Sequence, residues 1–292
     1  MLNIGFRAHD FGTFSSPEEL AITVEKIQSP SFIQLALNKS FPSALPWKDW
    51  NEEYISSFSS AFERHNVQIG VIGCYINPVN PDEELRKKDM ERFSTSLRLS
   101  KAFKCRVVGT ETGSFTIDNS YSTKTSSNKV LSRFYHSLDY MLEQAIRNDA
   151  VCAIEPVAKQ HTICSLERSA ALLDKFKDDH LKIIYDPINL LPFIGLTEED
   201  GAVLETPSNE AVEKYVSKAL DIFGTRLAAI HCKDFRLNEE GYKIWNIPSP
   251  HGVFNWSIVF NQLRQRNIDV PILLEDLNPQ TVASDLLALK QL

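Results

Sequence analysis

The chain has 292 residues, 43% of them hydrophobic, and a formal net charge of −7 with no block of Lys or Arg. That is ample material for a large core, and it argues against a nucleic-acid partner, whose binding rests on a basic footprint. No apolar run approaches the roughly 20 residues of a membrane span, and the start lacks the charged-then-apolar build of a signal peptide, so a cytoplasmic protein without a membrane partner is expected.

In chain order the first apolar run is LNIGF (2–6), followed by a helix pattern over 17–27. FIQLAL (32–37) precedes a second helix at 51–65, and VQIGVIGCYI (67–76) precedes a third at 82–103. That third helix opens on Asn80-Pro81-Asp82-Glu83, which reads as a cap, a proline in the first turn and acids near the positive helix end. Leu85, Met90, Phe93 and Leu97 lie near helical spacing within it. CRVVGT (105–110) leads into a Ser/Thr-rich loop at 113–127 and a helix at 128–147, in which Val130, Phe134, Leu138, Met141 and Ala145 recur at three- and four-residue steps. VCAIEP (151–156) precedes a helix beginning at Ser165, with Ala170, Leu173 and Phe176 expected inward. LKIIYDP (181–187) leads into a long loop, 187–208, with Glu198, Glu199, Asp200 and Gly201 near its middle, and a helix at 209–223. RLAAIHCKD (226–234) and VPILLED (270–276) complete the runs, with helices at 255–266 and 279–291.

None of these runs alternates cleanly, as expected of strands covered on both faces of a parallel sheet. Eight strands alternating with helices at this length predict the α/β class and a single (β/α)8 TIM barrel spanning residues 1–292. A doubly wound open sheet is the alternative. No GxGxxG follows the first strand, so its dinucleotide-binding version is weak. The cysteines, Cys74, Cys105, Cys152, Cys164 and Cys232, form no CxxC pair. Three of them, Cys74, Cys152 and Cys232, sit in apolar runs and read as reduced core residues.

Four runs end in a residue that core packing would not choose: Glu155, Asp186, His231 and Glu275. In a barrel the carboxyl ends of the strands meet on the face that carries the active site. A lone acid at a strand end is usually a cap or ion-pair partner, and Asp186 before Pro187 reads also as a turn residue. Four such residues converging are harder to explain that way. Carboxylates forced together without a cation repel, and a bound divalent ion removes the problem. Three oxygen donors and one nitrogen suit Mn²⁺, which is favoured, or Mg²⁺, Co²⁺ or Zn²⁺. The absence of thiolate ligands speaks against structural zinc.

Taken in order, AIEP, YDPINL, HCKDF and LLEDL resemble the xylose isomerase-like superfamily of sugar isomerases and epimerases, and within it the group that includes the ketose 3-epimerases. GVFNW (252–256) resembles the segment that precedes the last helix pair there, and the likeness spans the whole chain. The resemblance implies that Glu155, Asp186, His231 and Glu275 hold one divalent metal, and that Glu155 and Glu275 double as an acid/base pair. Two departures stand out. Asn189 occupies the place of a substrate-touching His in the ketose 3-epimerases, and Arg236 lies one residue short of the spacing of an Arg that follows the His ligand. Lys233 resembles a form found in inositol-processing enzymes. It reads either as a contact to a substrate oxygen or phosphate, or as a salt-bridged strand-end lysine.

Further candidates for substrate contact are Glu111 at the end of the fourth strand, His161 and His9. Trp47, Trp50 and Tyr75 offer stacking surfaces, although aromatics at such places more often serve packing. The expected function is a divalent-metal-dependent isomerase or epimerase of a sugar or sugar derivative. It would abstract a proton next to a carbonyl through a metal-stabilised enediolate. The alternatives are a metal-dependent dehydratase of a polyol or keto acid, an apurinic-site endonuclease-like enzyme and a non-catalytic barrel. Asn189 and the acidic balance weigh against the nuclease. The expected partner is a small carbohydrate-like molecule, and barrels of this kind often form homodimers.

Overall fold

Each of the eight apolar runs forms a strand. The computed structural model describes residues 2–190, 206, 208–240 and 243–292, so the acidic stretch Glu198 to Gly201 lies outside the described residues. The strands are β1 (Ile4–Arg7), β2 (Ser31–Leu35), β3 (Val67–Gly73), β4 (Val107–Glu111), β5 (Val151–Glu155), β6 (Leu181–Tyr185) and β7 (Leu227–Cys232). A hairpin, β8 (Asp234–Leu237) and β9 (Lys243–Ile247), precedes β10 (Ile272–Leu274). β1 to β7 and β10 form a closed barrel in which every neighbour is parallel, and β10 pairs with both β7 and β1. The hairpin is a separate antiparallel pair.

Helices surround the barrel: α1 (Pro17–Glu25), α2 (Leu37–Ser40), α3 (Glu52–Arg64), α4 (Glu83–Arg98), α5 (Asn128–Arg147), α6 (Leu166–Lys175), α7 (Pro187–Leu190), α8 (Asn209–Phe223), α9 (Trp256–Gln265) and α10 (Val282–Gln291). Polar side chains start most of the longer ones. Ser16, Asn51, Asp82, Ser127, Ser165, Ser208 and Asn255 each accept a hydrogen bond from the first turn, which satisfies amides that have no partner within the helix. Two expectations shift here. α4 begins after Asp82, whose carboxylate takes the amides of Glu84 and Leu85, so Pro81 precedes the helix rather than entering its first turn. It ends at Arg98, five residues before the expected 103. In α6 the fully buried residues are Leu166, Ser169 and Leu172, with Phe176 just past its end; of the expected positions Leu173 packs against the core partly buried and Ala170 is half-buried. Ser169 tolerates burial because its hydroxyl donates to the Ser165 carbonyl.

The core has two layers. The larger fills the space between strands and helices and contains the expected stripe of α5, Val130 to Ala145. The smaller plugs the barrel and comprises Phe32, Val71, Ala153, Ile184, Ala228, Ala229 and Leu273. Since side chains alternate along a strand, the residue two positions after each inward one also points inward, one layer nearer the carboxyl ends. From Ala153, Ile184, Ala229 and Leu273 that step leads to Glu155, Asp186, His231 and Glu275. The same step from Phe32 leads to Gln34, from Gly5 to Arg7 and from Gly109 to Glu111. A polar layer therefore rests on an apolar plug.

The plug tolerates little added volume. A Cβ at Gly109 would stand 2.6 Å from Cδ1 of Ile184, and one at Gly5 would collide with the Phe32 carbonyl and press on its ring at 2.6 Å. Gly5→Ala is expected to lower stability by about 1–3 kcal/mol through overpacking, measured by urea unfolding. Unchanged stability would mean that Phe32 relaxes freely.

Candidate active site and metal centre

The four expected ligands lie together at the carboxyl end of the barrel, none more than 4% exposed. Glu155, Asp186 and His231 each offer a ligand atom, and these atoms lie within 4.8 Å of one another. Glu275 stands beside this trio rather than within it. His231 Nδ1 is 3.2 Å from Oε2 of Glu155 and 3.3 Å from Oε1 of Glu275.

Each side chain is fixed by its element. Asp186 caps α7, its Oδ1 accepting the amides of Ile188 (2.8 Å) and Asn189 (3.0 Å). This leaves Oδ2 inward, where Lys233 Nζ approaches to 2.7 Å. Glu155 accepts at Oε1 from the Asn189 amide at 2.6 Å. Asn189 thus holds the carboxylate of an expected ligand. Glu275 Oε2 lies 3.1 Å from both Lys233 Nζ and Arg7 Nη1. Arg7 also reaches Asp276 (2.6 Å) and Asp10 (2.8 Å), tying the end of β1 to the end of β10.

His231 is oriented from behind. Its Nε2 lies 2.8 Å from Oε1 of Gln34, and the Gln34 amide donates to the Tyr75 hydroxyl at 2.6 Å. A carbonyl oxygen on Nε2–H leaves Nδ1 as the atom facing the carboxylates, the arrangement in which histidine usually serves a metal. Nδ1 of His231 and Oδ2 of Asp186 are buried and meet only the charged side chains of this cluster, Nδ1 the two glutamates and Oδ2 Lys233. Clustered, buried oxygen and nitrogen atoms of this kind fit a divalent ion.

The electrostatics follow from this packing. Burial raises the pKa of Glu155, and the charges of Glu275 and Asp186 add to the effect against the pull of His231. Burial works against ionising Glu275 too, but His231, Lys233 and Arg7 outweigh it and hold that carboxyl well below its usual range. Burial disfavours charge on His231, yet Glu275 and Glu155 raise its pKa to about 9. Lys233, despite burial, is held charged by Asp186 and Glu275.

The remaining candidates divide. His161 is buried, its pKa lowered to about 4 by burial, and its Nε2 lies 3.7 Å from Glu111. His9 packs edge-on to Tyr75, with centroids 6.3 Å apart, and burial together with Arg7 and Lys39 lowers its pKa to about 4. Both rings are neutral at physiological pH. Burial raises the pKa of Glu111, which is partly exposed. Arg236 is placed elsewhere: it is exposed on β8 and donates twice to the His251 carbonyl. Trp50 is buried and donates to the Leu45 carbonyl, whereas Tyr75 belongs to the site through Gln34. The Ser/Thr-rich loop is laced by Ser114, Thr125, Asn119 and Asn77, and Thr162 next to His161 donates to the Gly113 carbonyl.

Sequence reasoning missed Arg7 and Gln34. The available signals were a cation closing the first strand and a glutamine interrupting FIQLAL. It also missed the role of Asp234, whose Oδ1 accepts the amides of Phe235 (2.8 Å) and Phe254 (3.0 Å). Trp256 donates to the Lys233 carbonyl at 2.9 Å. HCKDF and GVFNW are therefore two halves of one folded unit, and a Cβ at Gly252 would collide with the Asp234 carboxylate.

Comparison with known proteins agrees with this architecture. The description "Xylose isomerase-like TIM barrel" matches residues 31–292. The chain belongs to that family. No curated protein matches it by sequence. Among solved structures it is similar to the 3-keto-D-glucoside 4-epimerase of E. coli, with 15% identity over 100% of both chains and a TM-score of 0.70. It is similar to the D-psicose 3-epimerase of Clostridium cellulolyticum, at 12% identity over 93% of this chain and 84% of that one, TM-score 0.65. It is also similar to the probable 3-DHS dehydratase of Bacillus anthracis, at 13% identity over 100% and 98% of the two chains, TM-score 0.69. At these identities the likeness is one of fold. No helix of the described residues is long and apolar enough to cross a membrane.

Three outcomes follow from this site. A metal at the trio must displace the proton from His231 Nδ1. Mn²⁺ binding at pH 7.5 should therefore release at least about one proton, read by calorimetry in buffers of different ionisation heat, and apparent affinity should climb with pH until about 9. Without metal the sign reverses. The pKa of His231 is raised above its ordinary 6.5, so its contribution to stability is full below 6.5 and fades as pH rises through about 9. Gln34→Leu should weaken Mn²⁺ binding about 10- to 100-fold. Unaltered affinity would remove Gln34 from the metal site.

Proposed function

We propose that the protein is a divalent-metal-dependent isomerase or epimerase of a sugar or sugar derivative. The observation that carries this reading is the pair of glutamates set on either side of His231 Nδ1, at 3.2 and 3.3 Å. Two carboxylates at one substrate carbon can take a proton from one face and return a proton to the other, which inverts that centre. Return to the neighbouring carbon interconverts aldose and ketose. Each transfer typically contributes about 10² to 10⁴ in rate.

Glu155, Asp186 and His231 would hold the metal, with Glu275 beside them. A bound divalent ion supplies stabilisation of negative charge on substrate oxygens next to the reacting carbon. The chain's own groups do the rest. Arg7 and Lys233 keep Glu275 ionised and so able to accept a proton. Asn189 fixes one oxygen of Glu155 and leaves the other directed at His231. Neutral His161 and His9, with partly exposed Glu111, offer hydrogen bonds to hydroxyl groups at the approach. The similarity to sugar epimerases in fold supports the reading.

A dehydratase is the second reading, supported by the structural likeness to the 3-DHS dehydratase. It shares the proton abstraction and differs in expelling a hydroxyl. A panel of ketoses and polyols in deuterated water with Mn²⁺ separates the two, because epimerisation adds deuterium at constant skeleton whereas dehydration loses water. Glu155→Gln and Glu275→Gln are each expected to abolish label uptake. Normal exchange in both variants would sink the acid/base assignment.

A further inference from the structure

The β8–β9 hairpin carries a lysine that this chemistry does not use. Lys243 opens β9, and its Nζ donates to the Ile188 carbonyl of α7 at 2.8 Å. The ammonium lies 3.1 Å from the centroid of the Trp245 ring and 5.7 Å from that of Phe235. Ile188 is two residues beyond Asp186, and the Asp186 charge acts on the lysine head. The charged groups whose fields it feels are Asp186 after β6, Lys233 after β7 and Asp276 after β10.

Neither carboxylate serves as its counterion. Asp186 is taken by Lys233 and the amides of α7, and Asp276 by Arg7. Among the described residues Lys243 makes no ion pair. An ammonium has three donors, and one protein carbonyl uses one of them. The Trp245 and Phe235 rings offset only part of the cost of a largely buried cation, which tends to lose its proton unless an anion arrives; burial lowers the pKa of Lys243 to about 6. Lys233, by contrast, is fully matched by two carboxylates.

We infer that Lys243 recognises an oxyanion, carboxylate or phosphate, carried by the substrate of the barrel site. The substrate class is then an acidic sugar derivative: a phosphorylated ketose or a sugar-like keto acid. This rests on reading the barrel mouth as a substrate site. The anion would meet two N–H donors that have no hydrogen-bond acceptor among the described residues, beside aromatic rings, in the charge-assisted geometry that gives the strongest hydrogen bonds. Because the amine must be protonated to bind it, binding above pH 6 takes up a proton.

The test reads binding without turnover. Protein with Mn²⁺, and in parallel without it, is titrated calorimetrically with D-fructose 6-phosphate against D-fructose, and with D-gluconate against D-sorbitol. One charged ligand is expected to bind at least about tenfold tighter than its neutral partner. Preference within the first pair names a phosphate, and preference within the second a carboxylate. In Lys243→Met the preference should vanish, along with proton uptake at pH 7.5, while Mn²⁺ affinity and the thermal midpoint stay as they were. Charged ligands bound no tighter than neutral ones, or a preference that survives Lys243→Met, overturns the inference. Mn²⁺ binding on the same samples keeps the two readings apart: a protein that ignores Mn²⁺ yet prefers the anion loses the proposed function and keeps this assignment.

Discussion

Three carboxylates packed into the dry mouth of a barrel must be matched by positive charge, and much of the surrounding structure answers that demand. Two like charges about 4 Å apart repel by about 4 kcal/mol even at an effective dielectric of 20. Glu155, Asp186 and Glu275 are each at most 4% exposed, so water cannot relieve them. Lys233 bridges Asp186 and Glu275, Arg7 holds Glu275, and His231 lies between Glu275 and Glu155. Arg7 in turn joins the first barrel strand to the last, so neutralising the site also ties the closing seam of the barrel.

The same demand organises the layer behind these groups. Gln34 and Tyr75 fix the His231 ring, Asn189 fixes Glu155, and the first amides of α7 fix Asp186. The supports of His231 and Glu155 come from other elements than their own, whereas Asp186 is held by the helix it caps. The hairpin is a second device, an addition to the barrel that is folded onto it by the Asp234 carboxylate and the Trp256 indole. It brings Lys243 to α7, and through it the site extends beyond the residues that strand alternation can supply.

Much of the fold was legible because barrel strands are covered on both faces and so read as short continuous apolar runs. The ends of those runs exposed Glu155, Asp186, His231 and Glu275, since a titratable residue closing an apolar stretch stands out. Arg7 and Gln34 did not stand out in this way. A polar residue at or within such a run has many ordinary explanations, and what distinguishes these two is a partner 269 or 197 residues away, Asp276 and His231. The hairpin was missed for the opposite reason: β9 is short and mostly exposed, with Ile244 and Trp245 open to solvent, so it carries no periodic apolar signal. Arg236 was placed by spacing alone, and its guanidinium went instead to a nearby carbonyl.

By itself the sequence determined the number and order of barrel strands, the helices between them and the four chemical groups at the strand ends. These follow from local patterning, in which burial on both faces and an abrupt change to a charged residue are written within a few positions. Only the tertiary structure decided which of those groups share a centre, which stands beside it, and which cations hold them there. Closing the barrel brings residues from both ends of the chain into contact, and electrostatic pairing in a buried space depends on distances of a few ångströms that no local pattern encodes.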